Sequence, residues 1–428
     1  MSGIGVNLDL TTATSQAGSD IAVDLDFTGM CHSGYSNNLD REYTMLNEMG
    51  VTWLHRDFSW SSIEPSDGNF QFERFDTYVQ RANAEGKKII GMLLYNTDWV
   101  HDKFNHPRER RIHPDEIPDF CEYAVETVKR YNGNHGYGYV DAWFIWNEPD
   151  ILQFWRGTQS EYFALNKAVA EAIRNLDQTE GTTTTLVGGV FTALVDDSWI
   201  NGLFSSGGGD LLDGIAYHPY SARAGSTMNM VTGFRQKLVT YGLENEIWAN
   251  EVGYPTYPDR GSPTGGLNDQ YEGNMPELVA QTVTVLAAAG TKNFAYYHLF
   301  DSGPNRDEYG LIWQKSAAEW VRKGGYWGYT ICAKNIPGKT YKQLTFSEPV
   351  PSELRYYYFE GDTSRTLVVW NNDPLDTMNV YINLPLGRNY RLWDVETGQS
   401  RGISRTSNHT LYPINTYQKT LAFITWDK

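Results

Sequence analysis

Eight short runs of apolar and β-branched residues recur along most of this chain, and helical patterns separate most of them. The runs fall at 24–30, 52–58, 88–95, 141–147, 184–191, 214–220, 246–252 and 293–300. Between them, segments such as 75–85, 117–131, 161–176 and 275–289 carry the apolar spacing of amphipathic helices. Regular alternation of strand and helix is the pattern of a parallel sheet with crossover helices. A run such as Lys-Ile-Ile-Gly-Met-Leu-Leu-Tyr (88–95) suits a strand buried on both faces. Eight repeats favour a closed (β/α)8 barrel, a TIM barrel, over an open sheet. The expected extent is 21–345, and a chain of 428 residues leaves room for a second unit beyond the ~250 a barrel needs.

Near residue 353 the pattern changes. Strand-like runs at 354–360, 366–371, 379–384, 390–394 and 420–426 follow one another with turn-rich links and no amphipathic helix. They predict a small antiparallel, β-sandwich-like domain over 346–428, with the boundary falling between 339 and 352. The polar segment 1–20 does not read as barrel and is expected to pack on that β-domain, adding a strand to it. Tyr356–Tyr358, Trp370 and Trp393 either bind carbohydrate there or brace the barrel, and alternating strands bury such rings routinely.

A formal charge of −17 with no run of Lys or Arg argues against nucleic acid or an anionic membrane as partner. Three cysteines without a pairing motif read as free thiols. No run approaches the ~20 apolar residues of a membrane span. The first residues lack the regions of a signal peptide, although a chain with its leader removed would read the same way, so the compartment stays open. No metal or cofactor is implied: the nine His are scattered without ligand spacing, and Ser206-Gly-Gly-Gly209 lacks the Lys-Ser/Thr of a phosphate loop. The 14 Trp and 28 Tyr are plentiful enough to serve as platforms for sugar rings.

The sharpest chemistry lies at two strand exits. Trp143-Phe-Ile-Trp-Asn-Glu-Pro149 ends the fourth run in Glu148, and Ile247-Trp-Ala-Asn-Glu-Val252 ends the seventh near Glu251. Strand exits form the rim where barrel active sites are built, and strands four and seven face each other across it. Two convergent carboxylates are what glycoside hydrolysis needs, one to protonate the leaving oxygen and one to attack the anomeric carbon. Retention calls for a separation of ~5–5.5 Å, inversion for ~6.5–9.5 Å. A rim Glu can also be a plain salt-bridge partner. Position at the exit distinguishes these two from Asn47-Glu48, in a predicted helix, and from Asn245-Glu246, at a strand's entrance.

These motifs resemble clan A of the glycoside hydrolases, retaining β/α-barrel enzymes, over roughly 27–329. The resemblance implies that Glu148 is the acid/base and Glu251 the nucleophile, and that Asn147 holds the sugar's 2-hydroxyl. Arg56, in Trp53-Leu-His-Arg-Asp-Phe, is similar to a strand-two Arg that pairs with the nucleophile and keeps it charged. His218-Pro-Tyr220 resembles a His-x-Tyr that ends strand six, and Trp60 to Phe70 resembles the segment after strand two. Within the clan the chain is most similar to glycoside hydrolase family 39, the β-xylosidases, α-L-iduronidases and exopolysaccharide endoglycosidases. It departs from the clan at strand eight, where Tyr296-Tyr-His-Leu-Phe-Asp301 stands in place of a Trp that floors the sugar site.

Further cleft candidates follow the strands. They are Asn96 and Trp99 after the third, Trp146 before the acid, Tyr254 after the nucleophile, His298 and Asp301 at the eighth, and Trp313 beyond it. Trp155, just past the acid, is another. Trp146 shares the parity of Glu148 and is expected to point the same way. The polar segments 108–118 and 261–276 are expected to form long loops over the mouth. The implied substrate is a carbohydrate. A transglycosylase would use the same residues, whereas a non-catalytic carbohydrate-binding barrel would have lost one Glu. An aldolase or isomerase barrel would show a strand-end Lys or a phosphate loop, and neither is visible.

Overall fold

The computed structural model describes residues 4–221, 224–244, 246–255, 275–301, 309–372, 378–403, 410–412 and 421–428. Most of the expected mouth loop 261–276 therefore lies outside the described residues.

The eight runs form a closed parallel barrel. Its strands are β1 (Thr28–Cys31), β2 (Trp53–Asp57), β3 (Lys88–Leu93), β4 (Ala142–Ile145), β5 (Leu186–Thr192), β6 (Gly214–His218), β7 (Ile247–Val252) and β8 (Phe294–Tyr296). Each pairs with its neighbours in sequence, and β8 closes on β1. Side chains alternate between two apolar environments. Ile90, Met92, Phe144, Val187, Ala216 and Trp248 fill the barrel's inside. Ile89, Leu93, Trp143, Ile145, Leu186 and Ile247 face the surrounding helices. Burial on both sides explains why these strands read as unbroken apolar runs. Gly91 sits beneath Trp143: a Cβ there would lie 2.5 Å from the indole, so the Gly lets a large ring lie flat on the strand.

The helices carry ordinary start and stop signals. In Gln159–Glu180, Thr158 and Glu161 form a capping box and Gly181 ends the helix with a left-handed φ of 68°. Among the described residues no helix is long and apolar enough to cross a membrane. All three cysteines are free.

Among the described residues, two larger sheets and two two-stranded ones lie outside the barrel; the larger two form the second unit. One has seven strands, in the order Ser400–Ile403, Tyr390–Trp393, Leu421–Asp427, Ser364–Asn371, Leu354–Glu360, Thr340–Lys342 and Ile21–Ala22. The other has three, in which Met378–Asn383 lies between Ile4–Asp9 and Thr410–Tyr412. Period-two alternation sets the packing. Leu367, Val369, Ile424 and Trp426 point at Val6, Leu8, Val380 and Ile382 of the smaller sheet. Their chain neighbours Val368, Trp370 and Phe423, with Tyr357 and Phe359, join the core of the barrel. Trp370 is buried and stacks on Tyr357 with ring centroids 4.9 Å apart. Trp393 donates from its indole N–H to Thr425 Oγ1 at 2.9 Å. Trp370 thus braces the barrel, and Trp393 holds its own sheet together.

Candidate active site

Glu148 and Glu251 meet at the barrel's C-terminal rim. One carboxylate oxygen from each and one nitrogen of His218 all lie within 4.8 Å of one another. Glu251 stands on β7 itself, whereas Glu148 lies just past β4. Its backbone N–H still reaches Val190 O on β5 at 2.9 Å, so the sheet ladder fixes its position. Glu148 has φ 43°, in the left-handed region that disfavours side chains. His32, Tyr95 and Trp146, each just beyond a strand, share that conformation. Such strain costs about 1–3 kcal/mol per residue and persists only where the surroundings enforce it.

His218 links the pair. Its Nδ1 is 2.7 Å from Glu148 Oε1 and its Nε2 is 3.2 Å from Asn250 Oδ1. Two oxygen acceptors on one imidazole favour the doubly protonated ring. Burial opposes that charge, but Glu251 and the bond to Glu148 outweigh it and move the His218 pKa upward. Tyr220 donates its hydroxyl to Glu251 Oε1 at 2.9 Å. Burial pushes the Glu251 pKa above the usual carboxylate value, His218 pulls it down and Glu148 pushes it up again. His218, His32 and Tyr220 are thus groups that favour a charged Glu251.

Arg56 behaves differently from what the resemblance implies. Among the described residues it makes no ion pair with Glu251. Its guanidinium lies over the Tyr35 ring, 4.0 Å from the centroid, and its buried Nε has no hydrogen-bond partner. Aromatic faces on β1's loop and on the helix Glu73–Ala84, the latter through Tyr78, attract the cation instead. Asn147 is buried beside Glu148, and its amide has no protein partner among the described residues.

The remaining candidates divide. His298 reaches the rim, with its ring edge-on to His32 at 6.3 Å, and burial holds its pKa down to about 3. It lines a cavity of about 780 Å³ together with His32, Tyr35, Asp301 and Trp320. Asp301 is tied up in a buried ion pair with Lys323 at 3.0 Å. Trp313 is partly exposed on a hairpin of Ile312–Gln314 with Trp320–Arg322, where Lys315 lies over its ring.

Trp146, Trp155 and Tyr254 are not displayed to a substrate. Trp146 is fully buried, edge-on to Trp155 at 5.1 Å, and donates its N–H to Phe154 O. The parity argument fails because β4 ends at Ile145 and the chain turns at Trp146 with φ 66°. Tyr254 is buried, with its hydroxyl 2.6 Å from Thr282 Oγ1. Asn96 bonds His101, and Trp99 packs edge-on to Trp60 and donates to Glu64 O.

Sequence reasoning missed Asn250, His32, His55 and Tyr95. Asn250 was half visible, since Asn250-Glu251 repeats the Asn147-Glu148 pair. It points inward, fully buried, onto His218. His55, whose pKa burial lowers to about 4, bonds the Asn250 carbonyl through Nδ1 at 2.9 Å. Tyr95, raised in pKa by burial and then by Asp57, Glu251 and Glu148, faces the same charges.

Comparison with known proteins shows what the chain is similar to. Residues 113–247, which include Asn147, Glu148, His218 and Tyr220, match the model of Glycosyl hydrolases family 39. Residues 32–92, with Arg56, match the Beta-galactosidase family model. The chain is similar to family 39. A beta-xylosidase of Caldicellulosiruptor saccharolyticus is 38% identical over 178 residues, 39% of this chain and 35% of that protein. The chain therefore matches about a third of the length of this relative. A family 39 glycoside hydrolase from Bacteroides cellulosilyticus WH2 shares the fold with TM-score 0.71 at 17% identity, over 94% of this chain and 81% of that one. The family 39 β-xylosidase of Caulobacter crescentus does so with TM-score 0.65 at 13% identity, over 99% of both. At these identities the structural likeness is one of fold.

Proposed function

We propose that this chain is a retaining glycoside hydrolase, with Glu148 as acid/base and Glu251 as nucleophile. The observation that carries the reading is the approach of the two carboxylates, with oxygens within 4.8 Å across the barrel mouth. Retaining enzymes hold their carboxyls ~5–5.5 Å apart, and inverting ones need ~6.5–9.5 Å for a water. The similarity to family 39 around Glu148 supports the same chemistry.

Protonated Glu148 donates to the glycosidic oxygen as the Glu251 carboxylate attacks the anomeric carbon, and the aglycone leaves. Glu148, now ionised, takes a proton from water, which attacks the anomeric carbon and releases Glu251. His218, bonded to Glu148 at 2.7 Å, holds that carboxylate in place and offsets charge between the pair. Tyr220 steadies the anion of Glu251 before attack. The unpartnered amide of Asn147 is available to a sugar hydroxyl.

The name of the Caldicellulosiruptor relative makes β-xylosides the first substrates to try. Aryl glycosides and polysaccharides would be assayed for new reducing ends, and the first-formed anomer read by NMR. Retained configuration, absent in Glu251→Ala, is expected. An inverted anomer, or turnover surviving in Glu251→Ala, would sink the assignment.

A further inference from the structure

The loop that follows β3 gathers a second set of titratable groups, apart from Glu148 and Glu251. His101 lies on the short helix Asp98–Phe104, Glu116 caps the helix Ile117–Arg130, and His113 lies between them. One nitrogen each of His101 and His113 and one oxygen of Glu116 lie within 4.8 Å of one another. We propose that His101, His113 and Glu116 bind a divalent transition-metal ion, Zn²⁺ foremost, which staples this loop beside the active site.

Three features favour an ion over a plain hydrogen-bonded cluster. His101 and Glu116 are both fully buried, and His101 Nδ1 is 2.7 Å from Glu116 Oε1. The opposite nitrogen, Nε2, lies between Asn96 Nδ2, a donor, at 2.9 Å and Glu109 O, an acceptor, at 3.1 Å. With an ion on Nδ1, Nε2–H would donate to the Glu109 carbonyl, an outer partner of the kind that orients a ligating His. Second, His113 Nε2 is a buried nitrogen with no hydrogen-bond partner.

Third, Glu116 is already aimed. Its Oε2 accepts the His113 backbone N–H at 2.8 Å, and its Oε1 also takes His106 Nδ1 at 2.9 Å. His106 packs on His113 with ring centroids 3.9 Å apart. Imidazole nitrogens with one carboxylate form a donor set that suits Zn²⁺. The loop in turn reaches the segment after Glu148: Arg110 donates to Gln153 O, and the Arg110 carbonyl accepts from Arg156 N–H. Asn96, one of the cleft candidates, bonds His101 Nε2 at 2.9 Å.

The test is titration of the chelator-stripped full chain with Zn²⁺ and with Co²⁺, read by calorimetry, visible absorption and melting temperature. One equivalent is expected, with a raised Tm. His113→Ala should weaken binding by about 100-fold or more, since loss of even an outer partner costs ~10–100-fold. Glu116→Gln, which keeps the shape of the side chain, should do the same, so a misfolded His113 variant leaves the question answerable. Glu251→Gln should bind the ion as the native chain does. The proposal falls if no stoichiometric uptake occurs, if both loop variants bind normally, or if Glu251→Gln alone abolishes binding. That last outcome would put the ion at the Glu148–His218–Glu251 cluster.

Discussion

The barrel and the two-sheet unit packed against it are both made of short apolar strands, yet they spend their side chains differently. Barrel strands are buried on both faces, inside against one another and outside against helices. In the seven-stranded sheet, alternate residues separate cleanly, one set toward the three-stranded sheet and the other toward the barrel. Backbone strain divides the same way. Among the described residues, the five non-glycine residues with positive φ lie between His32 and Glu148, four of them just past barrel strands, and the sheets outside the barrel have none. One region is built for packing and the other tolerates strain where side chains must meet. The difference explains why buried polar groups such as His218, Asn250 and His55 collect at the mouth.

If that division is right, substitutions in the two regions should fail in different ways. After Glu251→Ala, which should abolish turnover altogether, the largest effect is expected for Glu148→Ala. Turnover of a poor leaving group should fall by about 10²–10⁴-fold, the usual worth of a positioned acid/base. Activated aryl glycosides should be largely spared and azide should restore rate. Equal loss on both substrate types without azide rescue would remove Glu148 from that role.

Trp370→Ala should cost about 3–5 kcal/mol of stability, as truncation of a buried Trp does, while the folded enzyme keeps its kcat. Denaturant melts together with kinetics would check this. A fall in kcat with unchanged stability would mean that the sheet takes part in the reaction.

The smallest effect is expected for Tyr220→Phe. The Tyr220 hydroxyl stabilises the Glu251 anion, and burial already holds that carboxyl above its ordinary value. Losing the donor should raise the pKa further, moving the acid limb of kcat/KM to higher pH by about one unit. The alkaline limb should stay in place. An acid limb that stays put, or moves to lower pH, would show that Tyr220 does not bear on the charge of Glu251.

The periodicity of the chain carried the fold a long way. Each of the eight apolar runs overlaps a barrel strand, and the helix patterns at 117–131 and 161–176 overlie Ile117–Arg130 and Gln159–Glu180. Strand ends were read less well, because a strand stops where its ladder stops. The run 293–300 shrinks to Phe294–Tyr296, and 141–147 to Ala142–Ile145. Strands Ser400–Ile403 and Thr410–Tyr412 are short, and the runs that form them carry little apolar signal.

Within the candidate site, sequence alone singled out, by type and strand position, residues to which the proposed chemistry is assigned: Glu148, Glu251, His218 and Tyr220, each at or just beyond a strand exit. A strand exit fixes height on the barrel, and the order of strands fixes which exits face each other. Only the tertiary structure decided where side chains turn. Trp146 and Tyr254 go to the core, Arg56 lies on Tyr35 rather than Glu251, and His101 and His113, twelve positions apart, meet at Glu116. Such choices depend on φ at single residues and on which neighbour wins a contact. Neither leaves a period in the sequence, because both are set by groups distant along the chain.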